Sequence, residues 1–156
     1  MAKVKYALIG FGGIAENRVA KEGYACDKSR FQPLEYAELV GAFDLNPARK
    51  EAAEALGLKW YDTIDALLAD ADVDAVYIAT PNYMHAQQSI LCMDNGKHVL
   101  CEKPDAIDVT EVLKMKNAAD EAGKVLMVIR NNRFATASQY AKKFVEEGRM
   151  GEIYCG

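Results

Sequence analysis

The chain has 156 residues, of which 51% are hydrophobic and 27% are charged, and its formal net charge is −4 at pH 7. This length suits one domain with a proper buried core, and the composition is that of a soluble globular protein. The negative net charge argues against a nucleic-acid surface, and no apolar stretch approaches the roughly 20 residues that span a bilayer. The N-terminus is unlike a signal peptide. We therefore expect a cytoplasmic protein without nucleic-acid or membrane partners.

Six short apolar runs predict β-strands. They are rich in Val, Ile and Tyr and largely lack alternation between apolar and polar residues, which is typical of parallel strands covered on both faces. In chain order the predicted strands are 4–10, 38–44, 58–61, 74–80, 98–102 and 125–129.

Helical patterns separate these runs, and their ends carry recognisable signals. Pro47 suits the first turn of one helix, and Asn82 is positioned to cap the next. Asp108 and Glu111 have the spacing of a capping box at the start of a helix that ends before Gly123. The helices at Pro47 and Asn82 are predicted to cover 47–56 and 83–95. Another helix is predicted directly after the first strand, and a last one covers 137–147, with Tyr140, Ala141, Phe144 and Val145 on one face.

Strict alternation of strands and helices implies right-handed βαβ crossovers. We therefore predict an α/β fold with a doubly wound, mostly parallel sheet. Two segments depart from this pattern: 24–36 is predicted to be a loop, and 151–156 begins like another strand.

The four cysteines form no CxxC pair, and three of them lie in apolar runs. We interpret them as reduced structural thiols, with metal binding and disulfide formation as the less favoured alternatives. Only two histidines accompany them, so no metal site is predicted. The cysteines are Cys26, Cys92, Cys101 and Cys155.

A glycine turn follows the first strand directly. Gly10, Gly12 and Ala15 satisfy the pattern GxGxx(G/A): the first permits a tight turn, the second leaves room for a pyrophosphate, and the third keeps the helix close to the sheet. The helix N-terminus adds partial positive charge. A glycine turn alone is a weak signal, but this one lies between a strand and a helix and so predicts dinucleotide binding. The predicted cofactor-binding residues here are Gly10, Phe11, Gly12, Gly13, Ile14 and Ala15.

The second predicted strand ends at Asp44. An acid at this position accepts hydrogen bonds from the ribose hydroxyls and repels a 2′-phosphate, so NAD is predicted in preference to NADP. Two alternatives remain open. Asp44 fits a simple turn in the sequence DLNP, where Asp and Asn are common, and the nearby Arg49 has a charge that suits a 2′-phosphate.

The fourth predicted strand, 74–80, ends at Thr80 and is followed by Pro81, Asn82 and, shortly afterwards, His85. In a doubly wound sheet, ligands bind at the carboxyl ends of strands near the switch in strand order, which favours a place beside the cofactor. Taken alone, these residues are more typical of a proline turn and a helix cap, and a single histidine is more often structural.

Lys103 closes the next strand at the same sheet edge. Its ammonium group suits hydride chemistry on an alcohol, because it can hydrogen-bond the reacting hydroxyl and stabilise oxyanion character. Pro104 restricts the backbone of Lys103 and so aims its side chain reproducibly. The triplet EKP is more often structural, but here it follows two ligand-type turns and indicates a catalytic lysine.

The segments GFGGIA, GAFDLNPAR, DAVYIATPNYMH and GKHVLCEKP, in this order, resemble the nucleotide-binding half of the Gfo/Idh/MocA oxidoreductases, the glucose–fructose oxidoreductase and inositol dehydrogenase family. The resemblance implies a Rossmann domain that binds NAD or NADP. It implies that Thr80, Pro81, Asn82 and His85 line the cofactor side, with Glu102 beside the nicotinamide ribose. It also implies a catalytic role for Lys103 and places Arg133 near the active-site cleft.

The resemblance further implies a sugar- or polyol-type substrate and a second α+β domain that supplies most substrate contacts and the interface of a homo-oligomer. We therefore expect residues 1–150 to form the dinucleotide-binding domain and 151–156 to begin the second domain, in a chain that is an inactive fragment of the enzyme. The alternative is a non-catalytic regulatory module that senses dinucleotides, which is less favoured because a sensor has no need of Lys103.

Overall fold

The structure is a computed structural model and describes residues 2–154. Within them, six strands form one sheet: β1 (Val4–Ile9), β2 (Ala37–Phe43), β3 (Lys59–Trp60), β4 (Ala75–Ile78), β5 (His98–Cys101) and β6 (Leu126–Val128). Every neighbouring pair is parallel, and the strand order is β3-β2-β1-β4-β5-β6. Because the direction of winding reverses between β1 and β4, the predicted doubly wound α/β fold is confirmed.

Residues 2–154 also contain six helices: α1 (Ala15–Gly23), α2 (Lys50–Ala55), α3 (Ile64–Ala69), α4 (His85–Asp94), α5 (Val109–Ala122) and α6 (Thr136–Glu146). Helix α1 is wound with π-type turns. Short 3-10 turns precede α2, α4 and α6, at Pro47–Arg49, Asn82–Met84 and Asn131–Phe134. The segment 24–36 contains neither helix nor strand, as predicted.

The helix starts agree with the predicted caps in one case and differ in another. The Asp108 carboxylate accepts a hydrogen bond from the Glu111 N–H at 2.9 Å, so its predicted cap of α5 is confirmed. The Glu111 carboxylate accepts from the Ile107 N–H at 3.1 Å, one residue earlier than in a standard capping box. The predicted Asn82 cap is wrong, because Asn82 lies in the 3-10 turn and α4 begins without a side-chain cap.

Helix α3 was not predicted from the sequence, and it is six residues long. Its start nevertheless carries a local signal, since the Thr63 hydroxyl accepts a hydrogen bond from the Ala66 N–H at 3.1 Å. Ile64 of this helix lines the cavity described below, so the missed element belongs to the surroundings of the site.

The hydrophobic core consists of two apolar layers, one on each face of the sheet. Helices α3, α4 and α5 cover one face, with Leu67, Met93 and Met115 among the buried side chains. Helices α1 and α2 cover the other, through residues such as Val19 and Ala53. The central strands β1 and β4 are covered on both faces, which explains their continuous apolar sequence.

The second face stays open at β5 and β6, where Met127 is 58% exposed. Helix α6 buries none of its residues, and its predicted apolar face is largely exposed, with Tyr140 63% exposed. The rings of Tyr140 and Phe144 contact each other on this face, with their centroids 4.6 Å apart. Residues 151–154 form no strand, so the predicted strand is wrong for its described part, and residues 155 and 156 lie outside the described range.

The cysteines within the described residues are free thiols. Cys92 and Cys101 are buried and Cys26 is half-buried, whereas Cys155 lies outside the described range. Burial raises the pKa of both Cys92 and Cys101 to about 12, which keeps them protonated and unreactive. None of the helices within residues 2–154 combines the length and apolar character that a bilayer crossing requires.

Candidate functional site

A cavity of about 440 Å³ opens at the carboxyl edge of the sheet, beside the ends of β1, β2 and β4. The strand order reverses between β1 and β4, and doubly wound folds bind their ligands at this point. Five of the predicted cofactor-binding residues line the cavity, namely Gly10, Gly12, Asp44, Thr80 and Pro81.

Gly10 allows two strand ends to approach each other. Its φ is +90°, and a Cβ at this position would lie 2.9 Å from the backbone carbon and oxygen of Ala79 and 2.9 Å from Cγ2 of Thr80. The Gly10 N–H also donates to the carbonyl oxygen of Phe43 at 2.8 Å. The sequence therefore needs glycine here both for its backbone conformation and for the packing of β1 against the end of β4.

Gly12 and Gly13 have a different surrounding, because a Cβ built on either would meet no heavy atom within 4 Å. They precede α1, and backbone N–H groups in the first turn of a helix have no partner within the helix. Ala15, only 1% exposed, packs the helix against the sheet, while the Ile14 side chain is 68% exposed. Open space in front of backbone donors fits the pyrophosphate of a dinucleotide.

The Asp44 carboxylate joins the glycine turn to the end of β2. One oxygen accepts from the Phe11 N–H at 2.6 Å, and the other accepts from the Asn46 N–H at 2.8 Å. A carboxylate has about four lone-pair sites, so these two bonds leave acceptor capacity for ribose hydroxyls. Phe11 itself is fully buried and offers only its backbone to the site.

Arg49 reaches the same turn from the opposite direction. Its Nε donates to the carbonyl oxygen of Phe11 at 2.7 Å, and a terminal guanidinium nitrogen donates to the Glu16 carboxylate. Glu16 also receives the Lys21 ammonium at 2.6 Å. The hydrogen bond from Lys21, reinforced by Arg49, holds the pKa of Glu16 below its usual range and so keeps the carboxylate charged.

The turn after β4 contributes Thr80 and Pro81 to the cavity and leaves Asn82 exposed outside its lining. The Thr80 hydroxyl donates to the side-chain oxygen of Gln88 at 2.6 Å. Gln87, Gln88 and Leu91 line the cavity from α4, and Met84 lines it from the 3-10 turn before this helix. Spacings of three and four residues could have identified this face from the sequence once α4 was predicted.

His85 does not line the cavity and is only 1% exposed. Its Nδ1 lies 2.7 Å from the carbonyl oxygen of Pro104, and its Nε2 lies 2.9 Å from that of Thr80. The ring therefore links the turn after β4 to the turn after β5. Its predicted place on the cofactor side stays a prediction.

Glu102 is turned towards β4. The Tyr77 hydroxyl donates to one carboxylate oxygen at 2.7 Å, and the Lys103 N–H donates to the other at 3.1 Å. Burial, and next the Glu102 hydrogen bond, raise the pKa of Tyr77 well above its usual range, so Tyr77 stays a donor. Within residues 2–154 the Glu102 carboxylate forms no ion pair with the Lys103 ammonium.

Lys103 lies in a second cavity of about 370 Å³ and does not line the first. Arg130 and Arg133 line the second cavity as well, so Lys103 and Arg133 share one cavity. Ile78 of β4 is the register partner of Cys101 in β5, which makes the two cavities neighbours along one sheet edge. The Lys103–Pro104 peptide bond is cis.

Residues 4–130 match the model of the Gfo/Idh/MocA family, which is described as an oxidoreductase family with an NAD-binding Rossmann fold. The chain belongs to this family. The match includes all six strands, the glycine turn and the turn that carries Lys103. The resemblance stated from the sequence is thereby confirmed, together with NAD as the cofactor of this fold.

Curated relatives and solved structures show the same likeness. A 2,7-anhydro-N-acetylneuraminate hydratase of Escherichia coli K12 is 42% identical over 151 residues, which cover 96% of this chain and 38% of that protein. A D-glucoside 3-dehydrogenase of the same organism is 31% identical over 156 residues, covering 97% of this chain and 41% of that protein. The WlbA dehydrogenase of Bordetella pertussis, solved with NADH and UDP-GlcNAcA, superposes with a TM-score of 0.84 at 35% identity, covering 97% of this chain and 44% of that one.

The chain thus spans less than half the length of the relatives it matches. The alignments cover nearly all of this chain. Substrate and reaction belong to the whole protein and are taken up as proposals.

Proposed function

We propose that the protein is an NAD-dependent oxidoreductase that transfers a hydride between the nicotinamide and a sugar- or polyol-type substrate. One observation carries this proposal: two cavities share one sheet edge, with the glycine turn at the first and Lys103 in the second. The printed names of the relatives, which include a glucoside dehydrogenase, support a sugar-type substrate.

The residues of the first cavity suit the binding of the dinucleotide. Backbone N–H groups near Gly12 and Gly13 would hold the pyrophosphate, and Asp44 would accept hydrogen bonds from the adenosine ribose. Thr80 and Pro81 would border the cofactor where it crosses from β1 to β4, with Asn82 at the rim. Bound NAD supplies the hydride acceptor for the oxidation of a carbinol.

Lys103 would act on the substrate from the second cavity. When a hydride is transferred to the carbonyl carbon, its ammonium would hydrogen-bond the carbonyl oxygen, stabilise the negative charge that develops there and donate its proton to it. In the reverse reaction, the oxidation of the alcohol, the amine would take the hydroxyl proton while the hydride passes to NAD. Because Glu102 is engaged by Tyr77 and makes no ion pair with Lys103 in residues 2–154, the ammonium is available for this role. Arg133 would orient the substrate beside it, and Glu102 would lie next to the nicotinamide ribose.

The position of this chain in the whole protein completes the proposal. We propose that further substrate contacts come from a second domain, that the protein is a homo-oligomer and that it is cytoplasmic. The free thiols Cys26, Cys92 and Cys101 are in keeping with a reducing compartment. A purely regulatory dinucleotide sensor is the alternative, and the presence of Lys103 together with Arg133 favours the enzyme.

Calorimetric titration of the chain with NAD and with S-adenosylmethionine tests the cofactor, and exclusive binding of the latter would contradict the proposal.

Turnover is tested in the full-length protein by following NADH absorbance with a panel of sugars and polyols. We expect Lys103→Ala to lower kcat roughly 10²–10⁴-fold while the NAD affinity changes by less than about threefold. Lys114→Ala, at an exposed position of α5, is the matched control. Unchanged turnover in Lys103→Ala would refute the catalytic role.

A further inference from the structure

The charged residues around the first cavity are distributed unevenly. Among the described residues that line it, Asp44 is the one charged side chain, and no lysine or arginine is among them. The chain nevertheless places a guanidinium close by, because Arg49 contacts the carbonyl oxygen of Phe11 while Asp44 contacts the N–H of the same residue. A 2′-phosphate on a ribose held at Asp44 would therefore come within reach of Arg49.

Arg49 is already engaged, and Glu16 is its partner. The guanidinium uses Nε for the Phe11 carbonyl and a terminal nitrogen for the Glu16 carboxylate, and its carbon lies 5.7 Å from the centre of the Phe11 ring. The ion pair is mostly shielded from solvent, since the Arg49 and Glu16 side chains are 28% and 19% exposed. Charge-assisted hydrogen bonds of this kind hold an arginine in one geometry.

Lys21 strengthens the arrangement from the other side. Its ammonium donates to the second oxygen of Glu16 at 2.6 Å and to the side-chain oxygen of Asn17 at 3.1 Å. The Glu16 carboxylate is thus fixed between two cations, and it in turn fixes Arg49. Lys21 and Arg49 are thus both paired with the Glu16 carboxylate, and neither lines the first cavity.

We propose that Glu16 sets the preference of this protein for NAD over NADP by holding Arg49 away from the position of a 2′-phosphate. Glu16 is a positioning residue in this scheme, because it acts on the cofactor through Arg49. The proposal rests on the proposed function, since it presupposes that a dinucleotide occupies the first cavity. It adds that the discrimination against NADP depends on Glu16 as well as on Asp44.

The test compares the dissociation constants of NAD and NADP for the chain and its Glu16→Gln variant by calorimetry. Glutamine has the same size but no charge, so the ion pair to Arg49 is lost and at most a weaker, neutral hydrogen bond holds the guanidinium. We expect the ratio of the NADP to the NAD dissociation constant to fall roughly tenfold, in keeping with one new charge-assisted contact to a phosphate. The gained NADP affinity should weaken with rising salt concentration, because it arises from a charged contact near the surface.

Two sets of variants give the matched controls. Glu22→Gln removes the ion pair to Arg18 on the same helix, away from the first cavity, and should leave the ratio unchanged. Adding Glu16→Gln to an Arg49→Gln background should have no effect on the ratio, because the released cation is then absent. A tenfold change that persists in that background would overturn the role assigned to Arg49.

The outcomes also separate this proposal from the proposed function. Binding of NAD with an unchanged ratio in Glu16→Gln would overturn the role of Glu16 and leave the dinucleotide site standing. Failure of the unmodified chain to bind either dinucleotide would overturn the proposed function itself. If Glu16→Gln does not fold, Glu16→Ala serves instead. It removes the carboxylate and should lower the ratio in the same way, and an unchanged ratio would overturn the proposal.

Discussion

Neighbouring glycines in the same turn have different physical roles. Gly10 is needed by the folded chain, because its positive φ and the contact with Ala79 leave no room for a side chain. A Cβ on Gly12 or Gly13 would meet no heavy atom within 4 Å, so packing does not require glycine there. The pattern GxGxx(G/A) therefore combines a structural requirement at Gly10 with positions that, under the proposed function, leave room for a pyrophosphate.

Alanine substitutions in the turn should separate these two requirements. We expect Gly10→Ala to lower the free energy of unfolding by about 2–4 kcal/mol, because it adds backbone strain to a steric clash. Gly12→Ala should change it by less than about 0.5 kcal/mol, since its Cβ meets no atom, yet should weaken NAD binding by obstructing the approach of the pyrophosphate. Urea unfolding and calorimetric titration measure the two effects. Equal losses of stability in both variants would contradict this assignment.

At the scale of elements, local signals mark the ends of some helices, and α5 is the clearest case. Asp108 accepts from the third N–H of α5, and Gly123 ends the helix with a φ of +62°. Signals of this kind involve residues three or four positions apart, so they can be recognised in the sequence. Helix α4 shows the limit, because its 3-10 start at Asn82–Met84 shifts the helix by two residues from the predicted bound.

Removal of the α5 cap provides a test at this scale. Asp108→Ala should lower the free energy of unfolding by about 1 kcal/mol, because the Glu111 N–H loses its acceptor. Thr110→Ala, at another exposed position in the first turn of α5, is the control and should change the free energy of unfolding by less than about 0.5 kcal/mol. Urea titration followed by circular dichroism measures both variants. Similar losses in the two would show that Asp108 does not act as a cap.

For the whole molecule, distant segments are connected by buried or half-buried polar groups. The Asp70 carboxylate receives the Lys59 ammonium at 2.5 Å, the Tyr61 hydroxyl at 2.8 Å and the Asp72 N–H at 2.9 Å, which joins β3 to the turn after α3. Lys97 donates to the backbone oxygens of Asp70 and Val73, at 2.7 and 2.8 Å. These contacts hold the sheet edge that lies opposite the glycine turn.

Acid unfolding should reflect the Asp70 cluster. The hydrogen bond from Lys59, followed by those from the Asp72 N–H and Tyr61, holds the pKa of Asp70 well below its usual range. Because the unfolded value of about 3.9 is higher, the carboxylate stabilises the fold fully above that pH and progressively less as the pH falls towards the folded value.

We therefore expect Asp70→Asn to lower the free energy of unfolding at neutral pH and to flatten its decline below about pH 5. Urea unfolding at a series of pH values provides the measurement. Lys59→Gln should flatten the same acid limb in part, since it removes the strongest of the three contacts. Curves for the variant and the parent that remain parallel down to low pH would contradict the link.

The sequence by itself determined the alternation of strands and helices, the position of the glycine turn and the turns that carry Thr80 and Lys103. These features arise from local backbone preferences and from apolar patterning, which neighbouring residues express together. Only the tertiary structure decided that His85 lies behind the site, that Glu102 turns to Tyr77, that Glu16 holds Arg49 and that Lys103 shares a cavity with Arg133. Such contacts join residues far apart in the chain, and their geometry depends on how the strands and helices pack, which no local pattern encodes.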